Sequence, residues 1–455
     1  MSVRSRLALG AVPLAFAAGS LAERAWLLRA PHGIAPDLAQ PLPVATAWHG
    51  YGIAGLAILV ATVFAAAAGL VAAVRAIGPD AGPRDAALVA IVAAAALAAA
   101  GTWPVVFSSD VYAYAAYGSL ALAGHDPYAA VPASVHGPFI DAARIQWSGP
   151  FPPCVYGPLF VALARTGVAL LQPAGVAATL AGFRFAAGIA FVAGIALLDA
   201  VLRGLPPARR FGLVCAYGLN PVALWTVAEG HNDAFLMLAA FAAALPALRG
   251  GRFAGAFALG LSPLLKGAGL GLAALAALDA SAFRRPGRRT TWAGLAAGTA
   301  LAAVLCLPPL RPALATLGAH GRYAPSVSVQ GLLGLAPALV LAALAALCGL
   351  DRLRRRRPAG FAWLGIAALL ALPNPYPWYA PWLLPAALAA GAAPAGIALW
   401  AATICSVVRY LPDVAGSLDP STARLAALLA AAPLLWALLE FAGPASARKK
   451  ALAQP

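Results

Sequence analysis

Long apolar segments separated by short clusters of arginine are the feature that most constrains this chain. Each of these segments approaches the length of about 20 residues that a helix needs to cross a bilayer. They lie near residues 7–28, 51–74, 86–106, 183–203, 211–228, 233–249, 292–309, 331–350, 360–373, 380–392, 394–410 and 421–441. Only 10% of the residues are charged, against about 25% in soluble domains. We therefore predict an all-α polytopic membrane protein of about twelve transmembrane helices.

The basic residues gather between the apolar segments. The clusters are Arg4/Arg6, Arg75/Arg84, Arg203/Arg209/Arg210, Arg249/Arg252, Arg284/Arg285/Arg288/Arg289, the run from Arg352 to Arg357, and Arg448/Lys449/Lys450. Such clusters mark cytoplasmic loops. All of them can lie in the cytoplasm only if two of the apolar segments do not cross the membrane. The segment near 157–172 would remain outside as an interfacial or re-entrant helix. The segment near 253–281 would dip in and return, breaking at Ser262-Pro263 and Lys266-Gly267.

This topology predicts a single transmembrane domain over residues 1–455, with both termini in the cytoplasm and an uncleaved first helix. The largest outer loop is expected at 107–156, and polar and aromatic residues gather in the outer segments. The formal charge of +16 does not indicate nucleic-acid binding, because the cations follow the pattern of orientation signals. Any chemistry is therefore expected at the outer face.

A short helix is predicted from the cap residue Ser109 to Gly124, at the start of this outer loop. Asp110, Tyr114 and Tyr117 are spaced so that they share one face of that helix. The helix is expected to rest flat on the membrane. Two interpretations compete. Asp110 could be a catalytic base, or it could favour the helix N-terminus through the dipole while the tyrosines form an interfacial aromatic belt. On this segment alone, the second interpretation is favoured.

An ordered series of polar motifs favours the catalytic interpretation of Asp110 over the structural one. The series is Ser109-Asp110-Val111-Tyr112-Ala113-Tyr114 with Gly118, Asp126-Pro127-Tyr128, Tyr156-Gly157-Pro158-Leu159, Asn220-Pro221, Gly230-His231-Asn232-Asp233 and Pro377-Trp378-Tyr379. In this order the chain resembles the GT-C glycosyltransferases, which are multi-span enzymes that take sugars from polyprenyl phosphates. It is most similar to the polyprenyl-phosphomannose-dependent α-1,6-mannosyltransferases of actinobacterial type. Ser262-Pro263 stands where such proteins tend to show Lys-Pro, which leaves the role of Lys266 open.

The resemblance implies that Asp110 accepts the proton of an acceptor hydroxyl as general base. The expected reaction moves a hexose, with mannose as the expected sugar, from a polyprenyl-phosphate sugar to a glycan or glycolipid, with inversion, at the outer face of the plasma membrane. Because the leaving group is a lipid phosphate, neither a metal nor a cofactor is expected. The expected partners are the lipid-linked donor, the acceptor and membrane lipids.

Further substrate contacts are expected from a set of polar and aromatic residues. They are Tyr114, Tyr117, Asp126, His231, Asn232, Asp233, Trp378 and Tyr379. Alternatives remain open, because Asp126 could only cap a turn, Asn232 or Asp233 could cap the following helix, and Trp378 and Tyr379 could belong to the aromatic belt.

Four cations are candidates for binding the donor phosphate. They are Arg184, Arg322, Arg409 and Lys266. Arginine suits phosphate because it can donate two parallel hydrogen bonds. Headgroup contact or snorkelling are the alternatives for the arginines, and Lys266 could instead reach the cytoplasmic interface.

The sequence gives less support to two other functions. A transporter or flippase of lipid-linked sugars usually has ionisable residues near the bilayer midplane and paired half-sequences, whereas the acids here lie at the outer ends of the predicted spans. A non-catalytic scaffold would leave the ordered polar motifs unexplained. The sequence also lacks the phosphate-binding loop of ATP-driven pumps.

Overall fold

The computed structural model describes residues 3–29, 44–77, 83–103, 108, 110–320, 327–415 and 420–442, and these residues form helices and no strands. The helices are α1 (Val3–Arg29), α2 (Val44–Arg75), α3 (Pro83–Gly101), α4 (Asp110–Leu122), α5 (Pro138–Trp147), α6 (Pro158–Leu171), α7 (Gly175–Val201), α8 (Pro207–Gly218), α9 (Pro221–Ala228), α10 (Asp233–Leu248), α11 (Arg252–Gly260), α12 (Gly269–Ala282), α13 (Arg288–His320), α14 (Val329–Leu333), α15 (Leu335–Arg354), α16 (Ala359–Ala371), α17 (Ala380–Ala390), α18 (Pro394–Cys405), α19 (Leu411–Val414) and α20 (Pro420–Ala442). The predicted all-α class is confirmed.

Several helices are long and apolar enough to cross a membrane. In the described part of the chain there are seven such stretches: Arg6–Leu27, Tyr51–Arg75, Pro158–Val201, Arg288–Leu307, Leu335–Arg354, Pro394–Val414 and Pro420–Glu440. The pair α8 and α9 adds an eighth if it is one span. Shorter apolar helices form Ala87–Gly101, Asp233–Leu248, Gly269–Ala282 and Ala359–Ala371. A polytopic membrane protein is therefore confirmed, and the number of twelve spans stays a prediction.

The apolar stretch Pro158–Val201 is too long for one crossing. A helix rises 1.5 Å per residue, so its 44 residues would reach about 66 Å, roughly twice the hydrocarbon core. A 3-10 turn at Gln172–Ala174 divides it into α6 and α7. The separate helix predicted near 157–172 is thus present as α6, while its side of the membrane stays a prediction.

A second predicted break is also present. The α-helical conformation ends at Gly260, a 3-10 turn follows at Ser262–Leu264, and α12 begins at Gly269. By contrast, the segment predicted as one span at 211–228 is two helices, α8 and α9, bent by 45°. The bend follows from Asn220 and Pro221: the Asn220 side chain accepts hydrogen bonds from Val222 N and Ala223 N, which begins a new helix.

The predicted outer loop 107–156 is a folded unit built on α4 and α5. Its buried core includes Tyr114, Tyr117, Phe139 and Phe151, and residues of α6 complete that core. The predicted helix is present as α4, although Ser109 lies outside the described residues. Because residues on every face of α4 are buried in protein, the interpretation that its tyrosines form an interfacial belt is wrong, while the orientation of the helix relative to the membrane stays a prediction.

The chain forms two compact units. The first comprises Met1–Tyr323 with Asp413–Ser417, and the second comprises Ala324–Pro412 with Leu418–Pro455. The expectation of one transmembrane domain over the whole chain stays a prediction.

Candidate active site

Asp110 stands at the first residue of α4 and is the centre of a buried polar cluster in the first unit. Its backbone N–H donates to Ser108 Oγ at 3.2 Å. Its Oδ2 accepts hydrogen bonds from the hydroxyls of Tyr156 at 3.1 Å and Tyr114 at 3.3 Å. The Nδ1 atom of His231 lies 3.6 Å from the same oxygen. The Asp110 side chain remains 23% exposed, so a hydroxyl can reach a carboxylate that the protein holds on one side.

Burial determines the protonation states in this cluster. It raises the pKa of Asp110 above the ordinary range of a carboxyl, and this rise is opposed by the Lys266 charge and by the Tyr156 hydrogen bond. It also raises the pKa values of Tyr114 and Tyr156, so both phenols remain donors. The pKa of His231 falls well below its ordinary range, first through burial and then through Lys266. His231 is therefore neutral near pH 7, and Asp110 is the group that can gain a proton.

Lys266 comes from the break between α11 and α12 and supplies the positive charge of the cluster. Its Nζ donates to Asp233 Oδ2 at 2.7 Å and to Asn232 Oδ1 at 3.1 Å. It also lies 5.7 Å from the centroid of the Tyr156 ring. The ammonium of Lys266 is therefore bound inside the cluster, and the alternative that it reaches the cytoplasmic interface stays a prediction.

A close backbone approach sets Tyr156 beside Lys266. The N–H of Gly157 donates to the carbonyl of Leu265 at 3.2 Å. A Cβ atom at Gly157 would stand 2.2 Å from the carbonyl oxygen of Leu264, so only glycine fits here without displacement. Tyr156 and Lys266 are thus fixed by two segments that touch through their backbones.

The motif Gly230-His231-Asn232-Asp233 turns the chain from α9 into α10 and carries three members of the cluster. Gly230 has φ +94°, a conformation that favours glycine. Asn232 stands at the N-cap position of α10, but its side chain makes no capping hydrogen bond and accepts from Lys266 instead. The capping interpretation is therefore wrong for Asn232, whereas Asp233 begins α10 and pairs with Lys266.

Three predicted residues of the first unit have other contacts. The Tyr117 hydroxyl donates to the Pro152 carbonyl at 2.8 Å. Asp126 is exposed, and its Oδ1 accepts from Tyr128 N at 2.9 Å, as the turn interpretation expects. The guanidinium of Arg184 donates to two backbone carbonyls that end helices, Ala228 O at 2.6 Å and Gly101 O at 3.0 Å. These contacts support structural roles for Tyr117, Asp126 and Arg184. The contacts of these three residues with substrate stay predictions.

The remaining candidates lie elsewhere. Arg322 lies outside the described residues. In the second unit, the Trp378 ring stacks on Tyr376 with centroids 4.2 Å apart, and Tyr379 meets Trp378 edge-on at 6.4 Å. The guanidinium of Arg409 lies over the other aromatic residue of this stack, 3.9 Å from the Tyr376 centroid. The structure therefore brings Asp110, Tyr114 and His231 together with Lys266 and its partners Asn232 and Asp233. The aromatic residues Tyr376, Trp378 and Tyr379 belong to the second unit.

Tyr156 is a site residue to which the sequence interpretation assigned no role. It belonged to one of the quoted motifs, Tyr156-Gly157-Pro158-Leu159, but its phenol touches an acid 46 positions earlier in the chain. The signal that could have identified it is the polar ring directly before a glycine and a proline that begin an apolar helix. No spacing rule connects that ring to Asp110.

The arrangement is suited to moving one proton in a membrane-embedded protein. A carboxylate with a raised pKa can accept a proton near neutral pH, and neighbouring neutral donors keep it oriented. The described residues contain no group of three or more His, Cys, Asp or Glu residues that could hold a metal ion. The expectation of a reaction without a metal or cofactor is not tested by this.

Comparisons with known proteins give one family match. The profile described as "Alpha-(1->6)-mannopyranosyltransferase, N-terminal domain" matches residues 8–311, which is more than half of the chain and includes every residue of the Asp110 cluster. Neither the curated proteins nor the solved structures give a match. On the extent of the profile match, the chain belongs to the MptA/B family of alpha-(1->6)-mannopyranosyltransferases.

Proposed function

We propose that this membrane glycosyltransferase moves mannose from a polyprenyl-phosphate donor to a hydroxyl of a glycan or glycolipid at the outer face of the plasma membrane. The family description supports mannose and an α-1,6 linkage. The single observation that carries the assignment of the base is the contact set of Asp110. Its carboxylate is held by two phenols and remains partly exposed.

In the proposed reaction, the acceptor hydroxyl lies against Oδ1 of Asp110, since the described contacts of this side chain all involve Oδ2. The acceptor oxygen forms a bond to the anomeric carbon. The bond from that carbon to the phosphate oxygen breaks, and its electron pair leaves with the lipid phosphate. The proton of the hydroxyl passes to Asp110. One displacement inverts the anomeric carbon, so a β-linked donor gives an α-linked product.

Lys266 makes this base usable. Burial raises the pKa of the Asp110 carboxyl, and the nearby ammonium opposes that rise by favouring the charged form. The ion pair with Asp233 keeps the ammonium inside the cluster. Neutral His231 beside Oδ2 adds no competing positive charge. The transporter alternative gains no support from these contacts, which form one compact acid–base cluster.

The test is transfer by purified protein from polyprenyl-phosphate [14C]mannose to an oligomannoside, with wild type beside Asp110→Asn. We expect a loss of about 10²–10⁴-fold, the usual contribution of a positioned general base. Asp279→Asn is the matched control, because Asp279 pairs with Arg285 in an exposed contact and should leave transfer unchanged. Equal turnover by a folded Asp110→Asn protein would remove Asp110 from the reaction. Movement of the lipid across the bilayer without sugar transfer would favour a flippase.

The predicted side of the membrane has its own test. Ala130 is exposed in the connection between α4 and α5, so Ala130→Cys is a reporter position close to the cluster in sequence. The native Cys154 of the same region is buried and should react slowly. We expect a membrane-impermeant thiol reagent to label the reporter from outside intact cells. Labelling only after the membrane is opened would place this region in the cytoplasm and contradict the proposed face.

A further inference from the structure

Arg184 is a half-buried arginine of α7 whose side chain joins the ends of two other helices. Its Nε donates to the carbonyl of Ala228, the last residue of α9, at 2.6 Å. Its Nη2 donates to the carbonyl of Gly101, the last residue of α3, at 3.0 Å. The last carbonyls of a helix have no N–H partner within that helix, and the helix dipole favours a cation beside them. Arg184 therefore fixes where α9 ends relative to α3 and α7.

The charge of Arg184 has a partner beside the same carbonyl. Glu229 directly follows Ala228, is buried, and acts electrostatically on the guanidinium. Two carbonyl oxygens and one carboxyl of the protein thus act on a single cation. These are the contacts of an arginine that binds its own backbone, in contrast to the phosphate contact expected from the sequence.

The segment that Arg184 fixes leads directly into the candidate active site. Gly230 is the second residue after α9 and has φ +94°. A Cβ atom at Gly230 would stand 3.1 Å from Cγ of Arg184 and 3.2 Å from Cγ2 of Val111. Val111 is the residue after Asp110 in the first turn of α4. The backbone at Gly230 is therefore packed between the Arg184 side chain and the helix turn that carries the acid.

The geometry of the Asp110 cluster depends on where this turn lies. The Nδ1 atom of His231, the residue after Gly230, is 3.6 Å from Oδ2 of Asp110. Asn232 and Asp233 come next and bind the Lys266 ammonium. A misplacement of about 1 Å can lower the rate of a reaction about 100-fold, even when the changed residue is far from the chemistry. A residue that fixes the turn can therefore control the rate without touching the substrate.

We propose that Arg184 is a positioning residue of the candidate active site. It fixes the end of α9, and so places His231 and the two residues that bind Lys266 against Asp110. Its effect on the rate rests on the proposed function, whereas its effect on the turn does not. The two proposals can therefore fail separately.

The first test measures the turn directly, by hydrogen–deuterium exchange of the full-length protein in detergent. The amide of Gly230 donates to Val227 O at 2.9 Å. The amide of His231 donates to Thr226 O at 3.3 Å. Arg184→Met should accelerate the exchange of these two amides about tenfold, because the turn then opens locally. Wild-type exchange in the turn would overturn the proposal. Equal acceleration throughout the first unit would also overturn it, since Arg184 would then support the whole unit.

Arg24→Met is the matched control. The Arg24 guanidinium donates to the carbonyl of Thr102, the residue after Gly101, with Nη2 at 2.9 Å. Arg24 therefore also binds the end of α3, and among the described residues its hydrogen bonds go only to this carbonyl. Exchange in the turn should stay as in wild type. Acceleration equal to that in Arg184→Met would show a general effect of losing an arginine at this end and would overturn the assignment.

The second test separates positioning from substrate binding, in the transfer assay with polyprenyl-phosphate [14C]mannose. Arg184→Met should lower kcat about 10–100-fold and change the donor KM by less than about threefold, because a misplaced turn affects the reaction more than ground-state binding. A raised donor KM with unchanged kcat would make Arg184 a substrate-binding residue and overturn the proposal. If Asp110→Asn transfers normally, the proposed function fails, and the exchange experiment still decides the role of Arg184.

A conservative variant covers the case in which Arg184→Met does not fold. Arg184→Lys keeps the charge but has one ammonium in place of the planar fork that reaches two carbonyls. It should show exchange in the turn and a kcat between those of wild type and those expected for Arg184→Met. Wild-type values of both in Arg184→Lys would mean that the paired contacts are not needed, and would overturn the proposal.

Discussion

Lys266 and Arg409 are both nearly buried cations, and they differ in what binds them. The Lys266 side chain, 14% exposed, donates from its ammonium to the Asp233 carboxylate and the Asn232 amide oxygen. Arg409 is 7% exposed as a residue; its guanidinium lies on an aromatic ring and retains two buried N–H groups without an acceptor among the described residues. The first cation is bound by an acid and an amide of its own cluster, whereas two N–H groups of the second have no acceptor among the described residues. Removing each charge should therefore have opposite effects on the ligand-free protein.

The largest expected effect is on stability in Lys266→Met. Removing one partner of a buried ion pair leaves the other charge uncompensated, and the usual loss is about 3–5 kcal/mol. Here the Asp233 carboxylate, 0% exposed, would remain without its cation. Unfolding in detergent at neutral pH, followed by tryptophan fluorescence, measures the loss. The double variant Lys266→Met/Asp233→Asn should recover most of it, and a single variant no less stable than the double would contradict a strong ion pair.

Arg409→Met should have the opposite effect on the free energy of unfolding. Burying a polar group without a partner lowers stability by about 1–3 kcal/mol, so its removal should leave the delipidated protein as stable as wild type or more stable by up to about that amount. Arg424→Met, at an exposed position, is the control. A clear destabilisation by Arg409→Met alone would mean that the arginine has a structural partner.

Asn220→Ala tests a buried polar group that carries no charge. The Asn220 oxygen accepts from Val222 N at 3.1 Å and from Ala223 N at 3.0 Å, and begins α9 at the bend. Losing such a cap lowers the free energy of unfolding by about 1 kcal/mol. Asn220→Ser keeps an acceptor and should retain part of that stability. If the Asn220→Ala and Asn220→Ser variants have the same free energy of unfolding, the bend between α8 and α9 does not depend on this cap.

The smallest effect is expected in the pH profile of transfer. Asp110 acts as a base only when ionised, so activity falls as the pH drops through its pKa. Burial raises that pKa, Lys266 lowers it and Asp233 raises it. Lys266→Met should therefore move the acidic limb of kcat/KM to higher pH. The double variant Lys266→Met/Asp233→Asn removes both opposing charges and should move it less. A limb that stays in place in both variants would show that Asp110 does not control it.

Much of the local structure could be predicted because it depends on neighbouring residues. The helix that begins at Asp110 follows from its cap and periodicity, and the break before Gly269 follows from Ser262-Pro263. The bend at Asn220 and the folded core of 107–156 were not predicted. An apolar run of suitable length predicts one span, whether or not a cap inside it starts a new helix. A loop rich in prolines likewise gives little periodicity from which to infer a core.

The sequence by itself determined that this chain is a helical membrane protein, because its apolar runs and few charges allow no other class. It also supplied the acid, the histidine and the ordered motifs of the candidate site. Only the tertiary structure decided which of them meet. Tyr156 reaches Asp110 across 46 positions, and Lys266 reaches Asp233 across 33. Such pairings depend on how separate helices pack and on a backbone contact at Gly157, and no local preference encodes these distances.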